Sequence, residues 1–134
     1  MSINEDGING EKIARQVLKK NGFNVFGGDW IAQDRKGNYY LIEAKNKELY
    51  NPPPFLGTGL NISQVIARQI FKQKTGIRTI LFTRDKKSNI CYWQFLDVLE
   101  CKKSFDTRNK IRIYPLTSFE AFEQLEVINN ESGN

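Results

Sequence analysis

The 134 residues, 40% hydrophobic and 26% charged, suffice for one domain with one core and are too few for two. No stretch approaches the roughly 18 consecutive apolar residues of a membrane span, and the absence of histidine removes Ser-His and Cys-His triads and the commonest zinc ligand. The net charge is +5, unevenly placed: residues 1–112 hold all 20 Lys and Arg against 11 acids, whereas 113–134 hold four acids and no base. A basic body of this kind suits a polyanionic partner, nucleic acid first, although many small basic proteins bind nothing anionic.

Met1–Gly10 is polar and acidic rather than basic and then apolar, so it does not read as a signal peptide. With Cys91 and Cys101 lacking partners at metal-ligand spacing, free thiols and a cytoplasmic, reducing setting are expected. The first helix is predicted from about Gly10 to Asn21, capped by Asn9 and stopped by Gly22. Ile13, Ala14, Val17 and Leu18 form its buried stripe, with Lys12, Arg15 and Lys19 on the opposite side. Glu11 projects within about 20° of Leu18, at the edge of that stripe.

Phe23 to Phe26 reads as a short strand. Asp29 to Asp34 and Tyr39 to Lys45 read as a hairpin around Arg35-Lys36-Gly37, a three-residue loop whose last position needs positive φ. Asn51 to Gly59, with three prolines and two glycines, reads as a loop. A second helix is expected over Ile62–Lys74, capped by Asn61, stopped by Gly76 and buried along Ile62, Val65, Ile66 and Ile70. Ile77–Thr83 and Ile90–Phe95 read as paired strands, Leu96–Cys101 as a helical turn, Lys110–Tyr114 as a strand and Ser118–Leu125 as a last helix. The order predicts a single α/β domain with a central mixed β-sheet flanked by helices.

The chemistry comes from the hairpin register. If Asp34 and Asn38 flank the loop, paired positions sum to 72, and Asp29 falls opposite Glu43 on one face, with Cβ atoms roughly 5 Å apart. Lys45, two residues on, shares that face, and Asp34 lies on the other. Two opposed carboxylates repel unless a cation lies between them, and a hard divalent ion that keeps waters for a phosphate substrate is the natural occupant. Lys45 would orient or deprotonate a water, or hold the scissile phosphate. The bland alternative is a Glu43–Lys45 surface ion pair on an exposed sheet.

Asp29, followed after thirteen residues by Glu43-Ala44-Lys45 at the end of the apolar run Tyr39-Tyr40-Leu41-Ile42, resembles the PD-(D/E)XK nuclease superfamily. Gly10-Glu11 on the first helix, Gly22-Phe23 after it and the element order add to the likeness, which covers roughly residues 8–84 and is nearest to the Holliday-junction-resolvase-like and phage or mobile-element branches. Gly28 stands where the namesake proline would be. The resemblance implies a restriction-endonuclease-like αβββαβ core over about 8–95, with 96–134 as a C-terminal extension. It implies a Mg²⁺-dependent endonuclease acting on DNA rather than RNA, with Mn²⁺ able to substitute. Asp29, Glu43 and the carbonyl of Ala44 would ligate the metal, Glu11 would hold a bound water or second ion, and Lys45 would serve the nucleophile. Gln64 on the second helix would reach the active site.

Arg68, one turn past Gln64, and Lys47, just past the motif strand, are placed for phosphate, with Lys12 and Arg15 as further DNA contacts. Phe55 offers an aromatic wedge or, equally, a core plug. Cutting both strands would need a second subunit, so a homodimer is expected. Competing with the nuclease are a nucleic-acid-binding module of the same fold that does not cut, and a small basic structural or inhibitor protein.

Overall fold

The computed structural model describes residues 3–25 and 31–122, with side chains over 12–23 and 31–121. Helix α1 (Ile3–Lys20) buries Ile13, Ala14, Val17 and Leu18, the stripe that its apolar spacing predicts. Gly22 ends it at φ +90°: its N–H donates to the Lys19 carbonyl (3.1 Å), and the Phe23 N–H donates to the Leu18 carbonyl (3.0 Å). These are the two bonds of a Schellman cap. The start differs from expectation. The helix begins at Ile3, so Asn9 and Gly10 lie inside it rather than at its cap. Such residues cost up to about 1 kcal/mol each in a helix interior, too little to dictate where a helix begins.

Strands β1 (Asn24–Val25), β2 (Ile31–Gln33) and β3 (Tyr39–Lys47) follow. The β2–β3 hairpin pairs Ile31 with Leu41, Ala32 with Tyr40 and Gln33 with Tyr39, the register that the turn sequence predicts. Gly37 takes φ +92° and donates its N–H to the Asp34 carbonyl (3.1 Å). Next come β4 (Gly57–Asn61), α2 (Ile62–Thr75), β5 (Arg78–Asp85), β6 (Cys91–Phe95), α3 (Leu96–Glu100), β7 (Phe105–Asp106), β8 (Ile111–Pro115) and β9 (Glu120–Phe122). One sheet has the order β1-β2-β3-β5-β6-β9, with β3 and β5 parallel and the other neighbours antiparallel; a smaller antiparallel sheet has the order β4-β8-β7. This is the single-domain α/β fold with a mixed central sheet.

Three local expectations are corrected. Gly57–Asn61 is a strand rather than loop, because its glycines allow β8 to come close: a Cβ on Gly59 would lie 1.9 Å from the Arg112 carbonyl oxygen. Ser118–Leu125 is not a helix over its described part. Leu116–Ser118 is a 3₁₀ turn and Glu120–Phe122 pairs with β6, since a segment this short has no period that separates helix from edge strand. On α2, Val65 is buried but Ile66 and Ile70 are 53% and 45% exposed. The helix thus keeps an apolar outer face.

The alternation of β3 and β5 divides the core. Ile42, Ile80 and Phe82 pack under α1 with Ala32 and Cys91. Leu81 faces the other way, into a second cluster with Leu60, Val65, Leu96, Leu99 and Tyr114. Thr58 and Thr83 share a buried hydrogen bond (2.9 Å) that ties the small sheet to this face. Neither cysteine is in a disulfide; Cys101 is exposed and Cys91 buried, and burial pushes the Cys91 thiol up.

The second face is also locked by charge. The Arg78 guanidinium donates to both oxygens of Asp97 (2.7 Å each) and Lys72 lies 3.0 Å away, joining the end of α2, the start of β5 and α3. The Arg78 hydrogen bonds, more than Lys72, hold the Asp97 carboxyl down at about 2. A depressed carboxyl stabilises the fold fully above its unfolded value near 4 and loses that contribution as pH falls through about 2. Asp97→Asn is therefore expected to cost about 2 kcal/mol at pH 7. In urea titrations the wild-type advantage should shrink between pH 4 and 2.

Candidate active site

Glu43, Ala44 and Lys45 stand in the C-terminal half of β3, beside Leu81, Phe82 and Thr83 of β5. Because Ile42 points to α1, Glu43 and Lys45 point to the opposite face, towards α2. Both are half-buried, Glu43 with 12% of its side chain exposed. Sequence and structure agree on this placement.

Arg68 is the direct neighbour of Glu43. Its Nε (2.7 Å) and Nη2 (2.5 Å) both donate to Glu43 Oε1, so the arginine read as a phosphate contact is here the carboxylate's ion-pair partner. Two charged groups 25 positions apart give no local signal of such a pairing. Gln64, half-buried one turn earlier, lies on the same side of α2. Lys47 donates to the Tyr50 hydroxyl (2.7 Å) and lies 4.2 Å from the centre of its ring. Tyr50 has no place in the sequence reading; an aromatic three residues past Lys47 was the available cue.

Phe55 is half-buried rather than extended into solvent. It lines a shallow groove of about 390 Å³ with Leu56, Tyr92, Pro115, Leu116 and Thr117, and Lys103 lies over its ring at 5.4 Å. Lys12 is exposed and Arg15 half-buried on α1. Asp29 lies outside the described residues, as does the side chain of Glu11, whose backbone is in α1. Among the described residues no three His, Cys, Asp or Glu side chains come together. The described part of the site does suit a cation: its donor is a hard carboxylate oxygen, and that oxygen already accepts a guanidinium.

Asp34 has a different task. Its Oδ1 accepts the Lys36 and Asn38 N–H groups (2.9 Å each), and its Oδ2 accepts the Asn38 side-chain amide (3.0 Å) and the Tyr40 hydroxyl (2.9 Å). The Asn38 side-chain bond leads in holding the carboxyl at about 2. This carboxylate fixes the hairpin turn.

A helix, a run of antiparallel strands, a crossover through a second helix and a parallel return strand, with Glu43-Ala44-Lys45 on the central strand, make up the α/β fold. The chain is similar to the solved structure of Hjc, a Holliday junction resolvase from the archaeal hyperthermophile Archaeoglobus fulgidus. Identity is 17% and the TM-score 0.52, over 92% of this chain and 95% of that one. The likeness speaks for the fold. No family model matches the chain, and no curated protein matches it. Among the described residues, no helix is long and apolar enough to cross a membrane.

The division of labour between Asp34 and Glu43 gives a simple test. Asp34→Ala should lower the melting temperature at neutral pH through a loosened turn, while whatever chemistry the Glu43–Lys45 face performs proceeds at close to the wild-type rate in the folded fraction. Thermal melts and rates measured on the same preparation check both halves.

Proposed function

We propose that the chain is a divalent-metal-dependent endonuclease that hydrolyses phosphodiester bonds in DNA, with structured or junction DNA as the favoured class. The observation that carries this reading is the Arg68–Glu43 pair between α2 and β3, with Lys45 on the same face as Glu43 and Gln64 one turn before Arg68, in a fold similar to that of a Holliday junction resolvase. Glu43 and Asp29, with the Ala44 carbonyl and Glu11, would hold Mg²⁺ or Mn²⁺. When bound, that ion supplies a lower pKa for a coordinated water and neutralisation of charge on phosphate. Lys45 places a positive charge next to Glu43 on the same face, where it orients the attacking water or holds the scissile phosphate. Gln64, one turn before Arg68 on α2, would offer an amide to the same space. Arg68, on the same carboxylate, is within reach of a phosphate oxygen once its partner is otherwise neutralised.

A second reading, a nucleic-acid-binding module that does not cut, draws support from one observation: Arg68 already neutralises Glu43. The test is incubation with Mg²⁺ or Mn²⁺ and labelled duplex, four-way junction, flap and single-stranded substrates. We expect cleavage that chelator abolishes and that falls about 100-fold or more in Asp29→Ala, Glu43→Ala and Lys45→Ala, a loss of several kcal/mol of transition-state stabilisation. Binding with no cleavage under any divalent ion would favour the silent module. Undiminished cleavage by Glu43→Ala would remove this site from the mechanism.

Paired cuts require two sites, and α2 offers a face for a second copy. Ser63, Ile66, Ala67 and Ile70 are exposed along one side of it without a charge, on a protein of net charge +5 whose copies repel elsewhere. Ile66→Glu with Ile70→Glu should convert a dimer to a monomer in sedimentation velocity with the fold retained. A wild-type protein that sediments as a monomer at all concentrations would dispose of the interface.

A further inference from the structure

We infer that the outer edge of the small sheet, from Lys102 to Lys110, is a second binding surface for the backbone of a DNA duplex, separate from the Glu43 site. This inference rests on the nuclease reading for its partner. It begins from the fate of the acids in this region. Arg112 donates Nη1 to Glu100 (2.8 Å) and its Nε and Nη2 to the two oxygens of Asp106 (2.8 and 3.0 Å). The Tyr114 hydroxyl donates to the remaining oxygen of Glu100 (2.7 Å). One arginine and one tyrosine therefore satisfy both acids.

Asp106 and Arg112 are cross-strand partners and so share a face of the small sheet, the face that carries Tyr114 into the core. Glu100 is largely covered, and Asp106, although 44% of its side chain is exposed, is neutralised by Arg112. Lys102, Lys103, Arg108 and Lys110 remain exposed, and none makes an ion pair among the described residues. Between them Phe105, on the opposite face from Asp106, is 45% exposed. The result is a strip with four cations, an aromatic ring and no free acid.

The strip is held at both ends. Lys110 adopts φ +64°, and its carbonyl accepts the Ile62 N–H (2.8 Å) at the start of α2, the helix that carries Gln64 and Arg68 to the active site. At the other end Lys103 rests over Phe55. The chain runs from Lys103 to Asp106 over about 10 Å, beside about three base-pair steps, and Arg108 and Lys110 sit on the turn that follows, where the Lys110 N–H donates to the Thr107 carbonyl. Cations on flexible stems along such an edge contact phosphates and do not read bases. The surface would hold a duplex arm that leads away from the scissile phosphate.

The experiment is salt-titrated anisotropy with the full chain in excess chelator, on a labelled 20-base-pair duplex and the matching single strand. Each phosphate contact contributes roughly 0.9 to the slope of log K against log salt on duplex, and about 0.7 on single strands. Lys102→Ala/Arg108→Ala/Lys110→Ala should shallow the duplex slope by about two to three units, with an unchanged melting temperature. Lys102→Arg/Lys110→Arg should retain it, and Lys74→Ala, at the far end of α2, should change it by less than one. A triple variant with the wild-type slope overturns the surface and leaves the nuclease reading standing. A slope change confined to the single strand overturns the duplex assignment. A wild-type protein whose duplex binding is flat with salt overturns the nuclease reading and this surface together.

Discussion

The parallel pairing of β3 with β5, continuous from Tyr40 with Arg78 to Lys47 with Asp85, is the constraint on which the rest depends. Parallel neighbours cannot be joined by a tight turn, so the chain after Lys47 must leave the sheet, cross it and return. That crossover contains β4 and α2. With α1 already covering Ile42, Ile80 and Phe82, the crossover is left with the face that bears Glu43, Lys45, Leu81 and Thr83. The fold thereby delivers a helix with a glutamine and an arginine to a strand with a glutamate and a lysine. The half-burial of Glu43 follows from the same packing, and a carboxylate in that position requires a positive partner. Arg68 fills that requirement within the chain. On the proposed reading a divalent ion fills it during catalysis.

How much of this was legible in the sequence depends on whether the signal was local. Gly22, Gly37 and Gly76 all adopt positive φ, and each was readable as a stop or turn because no other residue adopts that backbone so cheaply. The hairpin register was fixed by its three-residue loop, which is why Ile31 meets Leu41 as expected. Glu43 and Lys45 were legible as a pair on one face through the two-residue period of a strand. Gly57 and Gly59 misled, since a glycine that permits close backbone approach looks the same in sequence as one that breaks a strand. Ile66 and Ile70 misled as well: a 3.6-residue period identifies a helix and its apolar face without saying what covers that face. The Glu43–Arg68, Arg78–Asp97 and Arg112–Glu100 pairs join residues far apart in the chain or in different elements, and no periodicity encodes them.

Those pairs show a consistent use of the two basic residue types. Arg68, Arg78 and Arg112 each bond carboxylates across elements, and Arg84 bridges Asn46 (3.0 Å) and Asn89 (2.7 Å). A planar guanidinium can satisfy two acceptors at fixed angles, which suits it to joining strands and helices; an ammonium on a flexible stem is better hydrated and stays in water. Lys12, Lys19, Lys20, Lys36, Lys74, Lys87, Lys102, Lys103 and Lys110 are accordingly exposed. The positive surface is thus mostly lysine, while much of the arginine is spent inside the structure. Bidentate reading of guanine edges is chiefly an arginine property. On the proposed reading, a surface built this way attracts phosphates without distinguishing sequences, and selectivity among DNA substrates would come from their shape rather than from their base edges.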